Sequence, residues 1–95
     1  MILIADLGAT NARFCITRDN ETYTSQANYP IKKYDSLEKL CLKYFSDHAL
    51  ESVERAVIGV AAPIIGDQVS FVNTDLKFSI LELEKNLFQK LFTLI

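Results

Sequence analysis

Ile2–Leu7 is a short apolar run without strict alternation, the pattern of a central strand buried on both faces. Ala12–Arg18 alternates instead: Ala12, Phe14 and Ile16 point one way, Arg13, Cys15 and Thr17 the other. Asp19-Asn20-Glu21 reads as a turn, and Thr22–Tyr29 alternates again with Tyr23, Ala27 and Tyr29 on one face. These three segments predict an antiparallel meander.

Pro30 ends the third strand. Asp35, with Glu38 three residues on, offers an N-cap of the capping-box kind. Leu37, Leu40, Cys41, Tyr44 and Phe45 then recur at helical spacing, and the helix ends near Asp47-His48. Arg55–Ala62 is apolar and rich in small residues, which predicts a second buried strand. The helical crossover sets it parallel to the first. Pro63 and the Gly66-Asp67 turn lead into a short strand, Gln68–Val72. Ser79 and Glu82 form a second capping box before a helix over Ile80–Phe88, and Leu91–Ile95 is a last apolar strand. The predicted order is β-β-β-α-β-β-α-β in a mixed α/β sheet. Two helices are too few to cover both faces of such a sheet, and the last strand has no helix after it. The expectation is a chain cut short, with an open edge and an uncovered face that favour a homo-oligomer.

Composition narrows the function classes. Ninety-five residues, 49% hydrophobic and 23% charged, suit one small globular unit. The net charge is −2 and the basic residues are scattered, which argues against nucleic acid as a partner. No apolar run is long enough for a spanning helix, so no membrane partner is expected. Cys15 and Cys41 lack ligand spacing and read as small buried hydrophobes in a reducing cytoplasm. His48, the one histidine, reads as a solvated residue at a helix end; one His builds neither a metal site nor a triad.

The candidate chemistry lies in Asp6-Leu7-Gly8-Ala9-Thr10-Asn11-Ala12-Arg13, where a buried strand turns into an antiparallel one. Gly8 and Ala9 leave room for a phosphate near the backbone, and successive N–H groups in a tight turn make an anion-binding nest. Thr10 adds a hydroxyl, and Asn11 tolerates left-handed geometry. Asp6, at the carboxyl end of its strand, would face Mg²⁺ through the ion's water shell. There is no GxxxxGK[ST] loop and no GxGxxG fingerprint.

This octapeptide resembles the first phosphate motif of bacterial-type glucokinases, D-[ILV]-G-G-T-N-x-R. Gly59–Ile65, Gly66-Asp67, Val69, Asn73, Phe78-Ser79 and Lys85-Asn86-Leu87 resemble a second block of that family, in the right order. The resemblance covers nearly the whole chain. It implies a ribonuclease-H-like, actin-like fold, with residues 1–95 as an incomplete N-terminal part of the small domain and a second domain absent. It further implies transfer of the γ-phosphate of ATP to the 6-hydroxyl of glucose in the full-length parent, with ATP and Mg as cofactors. The residues it assigns to ATP or phosphate are Ala5, Asp6, Leu7, Gly8, Ala9, Thr10 and Asn11, with Asp6 toward the metal and Asn73 at the sugar cleft.

Departures from the pattern are Ala9 for the motif's second Gly, Val72 for a Thr, Leu76 for a Trp, and no Gly after the second helix. The Asn-Asp pair whose Asp takes the sugar proton in the family is expected beyond Ile95, so this chain alone is expected to be inactive. Two other readings are a non-catalytic, oligomerising module and a regulator of the repressor-kinase group. The second needs a helix-turn-helix ahead of Asp6, for which five residues leave no room.

Overall fold

The computed structural model describes residues 1–51, 53–71, 74 and 76–94, with backbone alone at 92–94. Three strands open the chain: β1 (Ile2–Leu7), β2 (Asn11–Thr17) and β3 (Tyr23–Pro30). A 3-10 turn (Ile31–Lys33) leads to helix α1 (Leu37–Asp47) and strand β4 (Arg55–Val60). Three short strands follow, β5 (Ile64–Ile65), β6 (Gln68–Ser70) and β7 (Lys77–Ser79), then helix α2 (Ile80–Leu87) and β8 (Lys90–Leu94). The observed order therefore departs from β-β-β-α-β-β-α-β by two strands, β5 and β7. At two and three residues, neither is long enough to show a period.

The main sheet has the order β3-β2-β1-β4-β8. The meander is antiparallel, and β4 lies beside β1 in parallel, as the crossover predicts, with Asp6 opposite Gly59. β8 adds in parallel to the far side of β4 and forms that edge. β5, β6 and β7 make a separate antiparallel sheet.

Both helices cover one face. Leu3, Ala5 and Leu7 of β1 share that face with Ala12, Phe14 and Ile16 of β2 and Ala56, Ile58 and Val60 of β4, and all are buried. Leu37, Leu40, Cys41 and Tyr44 pack down from α1, where the Tyr44 ring stacks on Phe14 at 4.9 Å. Leu83 is the buried residue of α2. Phe45 and Phe88 meet edge-on at 6.2 Å, which joins the helices. The opposite face stays half open: Ile2, Ile4, Cys15 and Val57 are only partly covered and Asp6 is exposed. β1 is thus central but not buried on both faces.

Three local expectations change. The cap of α1 is Ser36, whose Oγ accepts the Lys39 N–H at 3.1 Å; Asp35 instead pairs with the Lys39 ammonium. A bulge in β3 opposite Cys15, with Ser25 at φ 56°, inserts one residue and reverses the facing of what precedes it. Ala27 and Tyr29 therefore face the helices while Tyr23 is 49% exposed. His48 is half-buried, its ring 4.8 Å from that of Tyr44.

Candidate functional site

The chain leaves β1 toward β2 on one side and leaves β4 toward β8 on the other. A crevice between diverging connections, beyond the carboxyl ends of parallel strands, is where open α/β sheets bind ligands. Each helix returns the chain from that end, so the N-termini capped by Ser36 and Ser79 lie on the same side. Their dipoles favour negative charge there.

Asp6 and the loop Gly8–Asn11 stand at this end. The Gly8 N–H donates to the Asn11 carbonyl at 2.9 Å and closes the hairpin. The Asn11 side-chain amide donates to Thr10 Oγ1, and the Thr10 carbonyl accepts the Ile31 N–H at 3.0 Å, which ties the loop to the 3-10 turn. The N–H groups of Ala9 and Thr10 donate to no acceptor among the described residues, and their side chains are exposed. Neither Gly8, Ala9 nor Asn11 takes a positive φ, so Ala9 sits in the motif's second glycine position without backbone strain. A Cβ built on Gly8 would meet only the Asn11 carbonyl, at 3.5 Å. The fold itself does not require glycine there.

The structure places the other candidates differently. Ala5 and Leu7 are buried in the core, so neither side chain is offered to a ligand, and the Leu7 carbonyl is engaged by the Ala61 N–H at 2.9 Å. Asn73 lies outside the described residues. Asp6 stands on the open face, flanked in register by Arg13 on β2 and Gly59 on β4. No ion pair joins Asp6 to Arg13. Both line a groove of about 460 Å³ with Ile4, Cys15, Gln26 and Asn28. Arg13 belongs with the site for this reason, and hairpin register alone could have found it, since a strand of alternating facing pairs it with Asp6.

Among the described residues no cluster of three His, Cys, Asp or Glu could hold a metal ion. A single exposed carboxylate beside a side-chain-free Gly59 does suit an ion that keeps most of its water and shares its remaining ligands with phosphates. Cys15, lining the groove, has its thiol pushed up by burial.

The Glucokinase family model matches residues 3–95. The chain belongs to the glucokinase family. A glucokinase of Psychromonas ingrahamii is 40% identical over 95 residues, covering 98% of this chain and 29% of that protein. A glucokinase of Yersinia enterocolitica is 41% identical over 86 residues, 90% of this chain and 26% of the relative. The crystal structure of a glucokinase from an Antarctic psychrotroph superposes with a TM-score of 0.89 at 31% identity, covering 98% of this chain and 31% of that one. This member of the glucokinase family thus spans less than a third of the length of these relatives. Among the described residues no helix is long and apolar enough to cross a membrane.

Proposed function

We propose that the chain supplies the phosphate-binding hairpin of an ATP-dependent glucokinase that transfers the γ-phosphate of ATP to the 6-hydroxyl of glucose. The observation that carries this is the loop Gly8–Asn11 at the carboxyl ends of the parallel strands, with two N–H groups that donate to no acceptor among the described residues and a Gly8 that the fold itself does not require, in a member of the glucokinase family. The Ala9 and Thr10 N–H groups and the Thr10 hydroxyl hold and orient phosphate oxygens, and positioning of this kind is most of what phosphoryl transfer asks of a protein. Asp6 would hold Mg²⁺ through water, and Mg²⁺ when bound neutralises phosphate charge. Arg13, across the strand from Asp6, adds positive charge to the same end.

On this reading residues 1–95 are the N-terminal part of the small domain of an actin-like, ribonuclease-H-like kinase, and the second domain lies outside them. The protein is a cytoplasmic enzyme, with Cys15 and Cys41 as free thiols. No Asn-Asp pair, which the resemblance makes the seat of the general base, occurs in the sequence. The chain alone is therefore expected to bind phosphate without turning over sugar. A non-catalytic, self-associating role is the second reading, and the half-open face of the sheet favours it.

The test has two parts. The complete gene product is assayed for glucose-dependent ADP formation from MgATP, and the 95-residue chain is titrated with MgATP by NMR. Amide shifts centred on Gly8–Asn11, with a dissociation constant near millimolar (about −4 kcal/mol), are expected. Shifts confined to regions remote from Asp6–Asn11 count against the proposed loop.

A further inference from the structure

The open face of the main sheet is not uniformly apolar. Ile2, Ile4, Cys15 and Val57 give it a partly covered apolar stretch. At the end nearer the Gly8–Asn11 loop stand Asp6 and Arg13, both exposed and directly opposite one another on β1 and β2. Among the described residues neither has an ion-pair partner.

Opposite charges on facing strands make this face complementary to itself, as a two-fold contact between identical chains requires. Consider a second copy turned about an axis parallel to β1 and β2 and midway between them. β1 of one copy then lies over β2 of the other. Asp6 meets Arg13 of the second copy and Arg13 meets Asp6. Ile4 comes over Cys15 of the second copy, because Ile4 and Cys15 are likewise register partners. The same rotation carries Ile4 and Val57 of each copy over the groove of about 460 Å³ that Ile4, Cys15, Gln26 and Asn28 line in the other. Sheets packed face to face stand about 10 Å apart with strands within about 30° of parallel. An aspartate and an arginine reaching toward each other bridge that gap.

We infer that the open face is the interface of a two-fold homodimer, a sandwich of two main sheets with paired Asp6–Arg13 contacts at one end. This rests on the self-associating reading given above and names its surface. Five strands about 4.8 Å apart and about five residues long offer roughly 400 Å² in plan on each copy, below the ~800 Å² a standard interface takes from each partner. The association is therefore micromolar rather than permanent. Asp6 is also the carboxylate proposed to hold Mg²⁺, so the two uses exclude each other.

Sedimentation velocity of the 95-residue chain at tens of micromolar reads the outcome. Wild type is expected to dimerise. D6R presents two positive charges and R13D two negative ones, and each is expected to weaken the dimer at least about tenfold. An equimolar mixture of the two restores association, since every contact then joins opposite charges. K85E, which changes the net charge as R13D does but from exposed helix α2, leaves the dimer unchanged. A dimer indifferent to D6R and R13D, an equal effect of K85E, or a mixture of folded variants that stays monomeric overturns this interface while self-association stands. A wild-type monomer at every concentration refutes both. Should a variant fail to fold, isotope-filtered NOEs in wild-type protein decide: contacts between Ile4 of one copy and Cys15 of the other support the sandwich, and intermolecular contacts confined to other surfaces overturn it.

Discussion

Replacing Gly8 by alanine separates what the fold needs from what the ligand needs. The added methyl meets the Asn11 carbonyl at 3.5 Å, ordinary van der Waals contact, and the residue's φ is not in the left-handed region. A glycine replaced at a compatible position stabilises by about 0.4–1 kcal/mol, because the unfolded chain has fewer conformations to lose. For a domain of this size that raises the melting temperature by about 2–8 °C. On the proposed reading, the same methyl would occupy the space through which a phosphate approaches Ala9 and Thr10. Loss of one hydrogen bond to a charged oxygen costs about 1.5–3 kcal/mol, or roughly 10- to 150-fold in affinity. Urea unfolding of the chain measures the first quantity; NMR titration with MgATP and KM for MgATP in the complete gene product measure the second. Stability should rise while nucleotide affinity falls. Destabilisation by more than about 1 kcal/mol would refute the backbone argument, and unchanged MgATP affinity in a stable variant would remove Gly8 from the phosphate path.

Ala49 sits at φ 52° just after α1, where the Leu50 N–H reaches the Phe45 carbonyl and the Ala49 N–H reaches that of Ser46, a Schellman arrangement that favours glycine. Ala49→Gly relieves about 1–2 kcal/mol of left-handed strain against about 0.4–1 kcal/mol of added chain entropy, so urea melts should show a net gain of roughly 0.5–1 kcal/mol. Asp19 is held at about 2 by the backbone N–H groups of Thr22 and Glu21. Its folded value lies below the unfolded one, so its contribution is complete above about pH 4 and is lost as pH falls toward 2. Asp19→Asn should flatten the acid limb of a stability-versus-pH curve, and a limb as steep as wild type would exclude this turn as a source. The half-open face and the β8 edge are expected to drive self-association, and sedimentation velocity showing a monomer at all concentrations up to tens of micromolar would contradict it.

The meander, both helices and the parallel placement of β4 were legible because each carries a full period of buried residues. What was not legible follows from short or neighbouring alternatives. Asp35 and Ser36 are adjacent capping residues, and only the Lys39 N–H position decides for Ser36. Strict alternation groups Tyr23 with Tyr29 because it cannot show the inserted residue at Ser25. At the site, the motif marked Asp6 and Gly8–Asn11 directly. The motif also ends on Arg13, but its place opposite Asp6 required the register of β1 against β2, which no local spacing encodes.

The connection lengths of the main sheet carry a kinetic consequence. β1 and β2 are separated by residues 8–10 and β2 and β3 by 18–22, whereas β8 reaches β4 only after residues 61–89. Closing short loops first costs least entropy. The meander is therefore expected to be formed in the folding transition state, with high φ-values at Phe14 and Ile16 and a low one at Leu91. The Gly8–Asn11 loop would then be in place before the edge of the sheet exists, and a chain still emerging from the ribosome could already carry it.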